Sequence, residues 1–229
     1  MGRENAQKVK KEQRIRGHNL GVLVKRSDGV AFKRALELVE DARGVIASNK
    51  RMDKALQTDE WRQISKGLLC WTGTMTAYAK QDEAFIGTVE FIDPNTSERW
   101  VFRVPKEHQG TRNGILVAEH PDYTVERDGN NLVVHPNEGA VSLVQRFPKE
   151  DGWYLTDSEH GIPTGNQVSN SNSDARSLWR VDSRVGPVGR VYGNFIGYYR
   201  HTVFLNDWPS GGSGVVMETS AADARKNKV

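Results

Sequence analysis

A single cysteine, Cys70, stands among 229 residues, so no internal disulfide can form and the fold must hold through packing and hydrogen bonding alone. No apolar run approaches the roughly 20 residues that a membrane-spanning helix needs. The opening stretch MGRENAQKVKKEQRIR lacks the apolar segment of a secretion signal. These absences lead to the expectation of a soluble, cytoplasmic protein with no membrane partner. Signatures of catalysis are missing as well. There is no G-x-S-x-G elbow, and Cys70 lies in the apolar sequence LLCW, where a buried, inert thiol is expected. The glycines after Pro209 lack the Gly-Lys-Ser/Thr of a phosphate loop, and Gly186-Pro187-Val188-Gly189 lacks a dinucleotide fingerprint. No internal repeat recurs at a fixed period, which disfavours a solenoid or propeller.

What is present is mostly β pattern. From Phe85 to Pro105, Val89 and Phe91 alternate with Thr88 and Glu90, and Trp100, Phe102 and Val104 alternate with Val101 and Arg103. Asp93-Pro94-Asn95-Thr96-Ser97 between them supplies turn chemistry, so a hairpin with Phe91 opposite Trp100 and Val89 opposite Phe102 is expected. A two-stranded ribbon cannot cover its own apolar face, so the rest of the chain must bury it. Further strands are expected at 20–24, 74–79, 115–118, 141–147, 153–155, 178–181, 188–192, 198–205 and 214–219. Another hairpin over 123–135 is expected to turn at Gly129-Asn130. Residues 157–176, with alternating Ser and Asn near the middle, read as a long irregular loop.

Helical periodicity is confined to the first third. Phe32, Ala35, Leu36, Val39, Ala42 and Ile46 mark one side of a helix expected to stop near Asn49. Thr58, followed by Asp59 and Glu60, is expected to cap a second helix. The chain therefore reads as α+β: two N-terminal helices packed on a predominantly antiparallel β-sheet or partly open β-barrel. Its expected organisation is a basic flexible arm at 1–19, a single domain at 20–220 with its helical part at 28–69 and its β-rich part at 74–219, and a flexible tail at 221–229.

Charge supplies the first functional hint. Residues 1–34 hold ten Lys or Arg against three acidic residues, a net +7, whereas the remainder is 22 against 26, a net −4. Lys8, Lys10, Lys11, Arg14 and Arg16 can hold a phosphate backbone by releasing its counterions, or can simply form a solvated terminus. A second hint lies at 153–208, where nine of the nineteen aromatics fall. There Trp179, Tyr198, Tyr199 and Trp208 interleave with Arg176, Arg180, Arg190 and Arg200. Such a surface can stack unpaired bases; the competing reading is that the aromatics fill a β core while the arginines alternate outward. The expected function is thus a binding or interaction protein with single-stranded RNA or DNA as partner, or else a subunit that docks on another protein.

One motif points elsewhere. His120-Pro121-Asp122 followed by a distant His201 resembles the two-histidine, one-carboxylate triad of non-haem iron oxygenases. That resemblance implies a metal-dependent enzyme with a divalent transition metal on His120, Asp122 and His201. The basic residue that such enzymes place shortly after the second histidine has no counterpart between His201 and Arg225. Outside this alternative no cofactor is expected.

Overall fold

A computed structural model describes residues 10–15, 20–24, 32–41, 43–56, 58, 70–79, 83–92, 97, 99–112, 114–144, 152–169, 175–180, 190–196, 202–205 and 214–218. In chain order the elements are β1 (Lys10–Ile15), β2 (Leu20–Val24), α1 (Phe32–Asp41), β3 (Val45–Ile46), α2 (Asn49–Leu56) and β4 (Cys70–Tyr78). Then come β5 (Thr88–Ile92), β6 (Arg99–Arg103), β7 (Ile115–Glu119), β8 (Tyr123–Asp128), β9 (Asn131–Pro136) and β10 (Ser142–Val144). The last are β11 (Gly152–Thr156), β12 (Pro163–Val168), β13 (Ala175–Arg180), β14 (Arg190–Ile196), β15 (Thr202–Leu205) and β16 (Gly214–Glu218).

These strands form two open sheets. The larger runs β1-β2-β16-β4-β14-β15-β13-β11-β12, with β3 on β16, β7 on β4 and β10 on β7. The smaller runs β5-β6-β9-β8. Pairing is mostly antiparallel, with parallel pairs at β13–β15, β16–β4 and β6–β9. The class is α+β, with mixed open sheets and two helices among the described residues.

The expected central hairpin is present in its expected register, with Phe91 opposite Trp100 and Val89 opposite Phe102. The 123–135 hairpin also turns where expected, since Asp128 pairs with Asn131 and Gly129 takes a φ of 55° that suits glycine. Cover for the central hairpin comes from elsewhere in the chain. One core cluster joins Phe32, Ala35, Leu36 and Val39 of α1, Trp71 and Met75 of β4, and Val89, Trp100, Phe102, Leu132 and Val134 of the smaller sheet. The Phe32 ring lies 5.1 Å from Trp71 and 5.3 Å from Trp100, bridging the two sheets. Each such large side chain taken out of water contributes about 1.5–3 kcal/mol. A second cluster, Tyr78, Ile115, Val117, Tyr154 and Ile162, gathers residues of β4, β7, β11 and the turn after β11.

Several expectations are corrected. The first helix stops at Asp41, not near Asn49. Arg43 takes a left-handed φ of 51°, and two bonds close the helix end: Arg43 N–H to the Glu40 carbonyl and Gly44 N–H to the Val39 carbonyl, both 2.9 Å. Gly44 is thus a termination residue, and an added Cβ there would meet Met217 Cε at 2.3 Å. Ile46, read as helical, belongs to β3 and pairs with Met217. Asn49 opens α2 rather than ending α1. The Thr58 hydroxyl donates to the Ala55 carbonyl at 2.8 Å, at the end of α2. The rest of the expected second helix lies outside the described residues.

Two stretches read as irregular contain strands. Lys10–Ile15, inside the expected arm, pairs with β2. It has few apolar residues, but an edge strand takes its order from its neighbour's backbone, and β2 is itself paired with β16. Pro163–Val168, inside the expected loop, pairs with β11 through Tyr154–Gln167 and Trp153–Val168. No helix among the described residues is long and apolar enough to cross a membrane.

Candidate functional site

β4 separates two environments. Trp71, Met75 and Ala77 enter the larger core, while Thr72, Thr74 and Thr76 alternate onto the opposite face and are fully buried. Buried hydroxyls need partners. Asn49, itself 0% exposed, serves two of them: its N–H donates to Thr74 Oγ1 at 2.9 Å, and its Oδ1 accepts from the Thr72 hydroxyl. Asn49 is held there because Ser48 caps α2, its Oγ accepting from Arg51 N–H at 3.3 Å and its carbonyl from Met52 N–H at 3.0 Å. Asn49 Nδ2 and Thr76 Oγ1 have no hydrogen-bond partner among the described residues.

Gly73 is where β4 changes partner along one edge. Cys70 and Trp71 pair with β16, whereas residues 74–78 pair with β7. Between them Gly73 N–H donates to the Ala47 carbonyl at 2.8 Å, and its own carbonyl accepts His120 N–H at 2.9 Å and the Tyr123 hydroxyl at 3.1 Å. A Cβ at this position would sit 2.5 Å from the Ile46 carbonyl oxygen. Only glycine allows so close an approach.

His120 completes this corner. Its Nδ1 accepts Ile46 N–H at 3.2 Å, which requires the neutral ring with its proton on Nε2. The ring meets Tyr123 edge-on at 5.7 Å. Burial lowers the His120 pKa below 6.5, against the opposing pull of Glu40 and Asp122. Burial also raises the Tyr123 hydroxyl far above its ordinary value, with the Glu119 charge adding to the effect.

A second histidine lies on the other side of Glu119. The turn after β11 is tied by Asp157: Oδ1 accepts the N–H groups of Glu159 and His160, and Oδ2 accepts Ile162 N–H at 3.0 Å. Gly161, at φ 68°, brings the turn against the start of α2, where a Cβ would lie 2.9 Å from the Lys50 nitrogen. His160 is thereby presented to β7, its Nδ1 3.4 Å from Glu119 Oε1. Glu119 pairs with Thr74 and so shares the threonine face of β4. The Glu119 hydrogen bond raises the His160 pKa above 6.5; burial opposes this, and Asp157, Glu119 and Glu159 reinforce it by charge. His160 Nε2 is buried with no hydrogen-bond partner among the described residues. A carboxylate-held imidazole of this kind stores a proton, and its burial favours fastening over exchange with a solvent-borne substrate.

Sequence reasoning missed His160 and Asn49, and took Glu119 with His135 only as members of an alternative metal cluster. The signal available was Asp157-Ser158-Glu159-His160-Gly161, an aspartate whose side chain can accept amides further on, then a glycine for positive φ.

The residues singled out from the sequence are spread more widely. Lys10, Lys11 and Arg14 lie on β1, at one end of the larger sheet. Arg176, Trp179 and Arg180 lie on β13 and Arg190 begins β14. Lys8, Arg16, Tyr198, Tyr199, Arg200, His201 and Trp208 lie outside the described residues, as does the tail at 221–229. Register sorts the rest, because cross-strand partners share a face. Trp179, Phe204, Phe195 and Trp71 form one row across β13, β15, β14 and β4. Arg176 instead pairs with Tyr154, Arg190 with Tyr78, and Arg180 with Leu205. By register, Arg176, Arg180 and Arg190 thus fall outside the Trp179 row, and Arg176 and Arg190 pair with tyrosines. For the metal triad, His120 has Nδ1 engaged by Ile46, and Asp122 is an exposed turn residue whose carbonyl accepts Asn137 N–H at 2.8 Å. Among the described residues no group of three His, Cys, Asp or Glu could hold a metal ion.

No protein-family model, no curated protein and no solved structure matches this chain.

Proposed function

We propose that this chain is a binding protein without catalytic activity, its two helices packed on open sheets, that holds single-stranded RNA or DNA chiefly by the phosphate backbone. The observation that carries this is the placement of positive charge. Lys10, Lys11 and Arg14 share the outermost strand at one end of the larger sheet, within a segment of net +7. Arg176 and Arg180 lie on β13 and Arg190 begins β14, in the half of that sheet away from β1. The Trp179 row runs to Trp71, which is buried in the core, so phosphate contacts rather than base stacking supply most of the affinity.

Anisotropy of a labelled generic single-stranded oligonucleotide, measured across a salt series, tests this. Binding is expected to weaken steeply with salt. Replacing Lys10, Lys11 and Arg14 together by glutamine should flatten the log–log salt slope by about 2, at about 0.7 for each phosphate that is no longer neutralised. Absence of binding at low salt removes the proposal. A second reading, a subunit docking through β5, is favoured by Ile86, just before this end strand of the smaller sheet, and Ile92, its last residue, which are 75% and 59% exposed. Light scattering that finds a monomer unaffected by Ile86→Ser with Ile92→Ser counts against it.

A further inference from the structure

We propose that the turn over residues 157–162 is a proton-dependent clasp, fastening the β11–β12 hairpin to the β4–β7 body while His160 carries its proton and slackening when that proton leaves. β12 ends the larger sheet and is paired with β11 alone among the described strands. β11 itself pairs with β13, so the hairpin reaches the body along the sheet through β11 and directly, at the β4–β7 end, through the turn that precedes β12.

Three contacts make that attachment. Ile162, 0% exposed, enters the cluster of Tyr78, Ile115, Val117 and Tyr154 and holds at any pH. Gly161 abuts the backbone of Asn49 and Lys50 at the start of α2. His160 is the titratable contact, its Nδ1–H directed at Glu119 Oε1 with only 10% of its side chain exposed. The groups facing it are Glu119 from β7 and Asp157 and Glu159 from its own turn, the latter with Oε1 3.8 Å from Nε2. α2 and β4 present Asn49, the Lys50 backbone and the buried threonines, none of which titrates near neutrality.

The sign follows from these neighbours. Three carboxylates favour the imidazolium, and the folded-state pKa lies above the ordinary 6.5. The clasp is therefore fully closed below pH 6.5, and its charge-assisted part is lost as the pH rises through the raised value. Above that value the neutral ring, keeping its proton on Nδ1, holds Glu119 by an uncharged hydrogen bond only, beside Ile162 and strand pairing.

Amide exchange compared at matched pH between the wild-type chain, His160→Gln and Glu119→Gln tests this. At about pH 6 both variants should lose protection over residues 157–168 by about tenfold, the scale of one charge-assisted hydrogen bond, with residues 115–118 unchanged. The gap should narrow on the alkaline side of the His160 titration followed by NMR. A gap equal at both ends of the pH range, or a His160 that titrates at or below 6.5, overturns the proposal. Should the variants fail to fold, the wild-type chain decides: protection of 157–168 relative to 115–118, corrected for intrinsic rates, falls with rising pH if the clasp exists and stays constant if it does not.

Discussion

His120 and His160 flank the same carboxylate, Glu119, and do opposite things with a proton. His120 follows Glu119 in sequence, accepts a backbone N–H through Nδ1 and is driven neutral by burial. His160 reaches Glu119 from the turn after β11, donates through Nδ1 and is driven towards the charged form by that bond. The difference is set by what each ring faces, an amide donor in one corner and carboxylates in the other. Burial alone would push both the same way. The two corners therefore depart from the ordinary 6.5 in opposite directions. The His120 contribution is full above pH 6.5 and is lost as the pH falls through its lowered value, whereas the His160 contribution is full below 6.5 and is lost as the pH rises.

The most severe way to break the comparison is at Gly73, which serves the His120 corner only. Gly73→Ala would drive a Cβ to 2.5 Å from the Ile46 carbonyl and 3.0 Å from His120 Cβ. Because the first of these is backbone, relief requires separating β3 and its linker from β4, and a loss of about 3 kcal/mol in urea unfolding is expected. Amides of the 157–162 turn should keep their protection relative to the rest of the fold. Next in size is His120→Phe, which keeps an aromatic ring against Tyr123 but leaves Ile46 N–H buried without an acceptor, at a cost of about 2 kcal/mol. That cost should be full at about pH 8 and shrink towards pH 5, because the wild-type chain itself surrenders the bond as His120 becomes protonated. A cost that grows on acidification would mean that His120 is charged in the fold.

Very little of this contrast is legible in the chain, whereas the strands largely are. Alternation and turn chemistry are local, and for that reason the Phe91–Trp100 register and the Gly129-Asn130 turn agree with the structure. Periodicity over-extends α1 because the apolar period continues through Ala42 and Ile46, while the residue that ends the helix, Arg43 in a left-handed conformation, is of a type that seldom adopts it. The threonines at 72, 74 and 76 resemble one face of a half-exposed strand; only the arrival of α2 and the 157–162 turn makes them a buried polar layer. His120 stands out for its spacing to Asp122, yet its job is set by Ile46, 74 positions earlier. His160 does not stand out at all, because its partner is 41 positions away on another strand. Spacing reveals neighbours along a helix or strand and says nothing about such long-range partners.

The smallest expected effect is also the sharpest test of whether the two corners are independent. Tyr123 donates its hydroxyl to Gly73 O in the His120 corner and feels the charge of Glu119, which belongs to the His160 corner. Tyr123→Phe removes one donor from a carbonyl that keeps His120 N–H as a partner, so the cost should be about 1 kcal/mol. It should also be flat across pH 5–9, since burial holds the Tyr123 hydroxyl protonated throughout that range. If instead the cost of Tyr123→Phe varies with pH, the variation must come from Glu119 or the two imidazoles. The corners would then communicate through the carboxylate between them, and each histidine's profile would have to be remeasured with the other replaced.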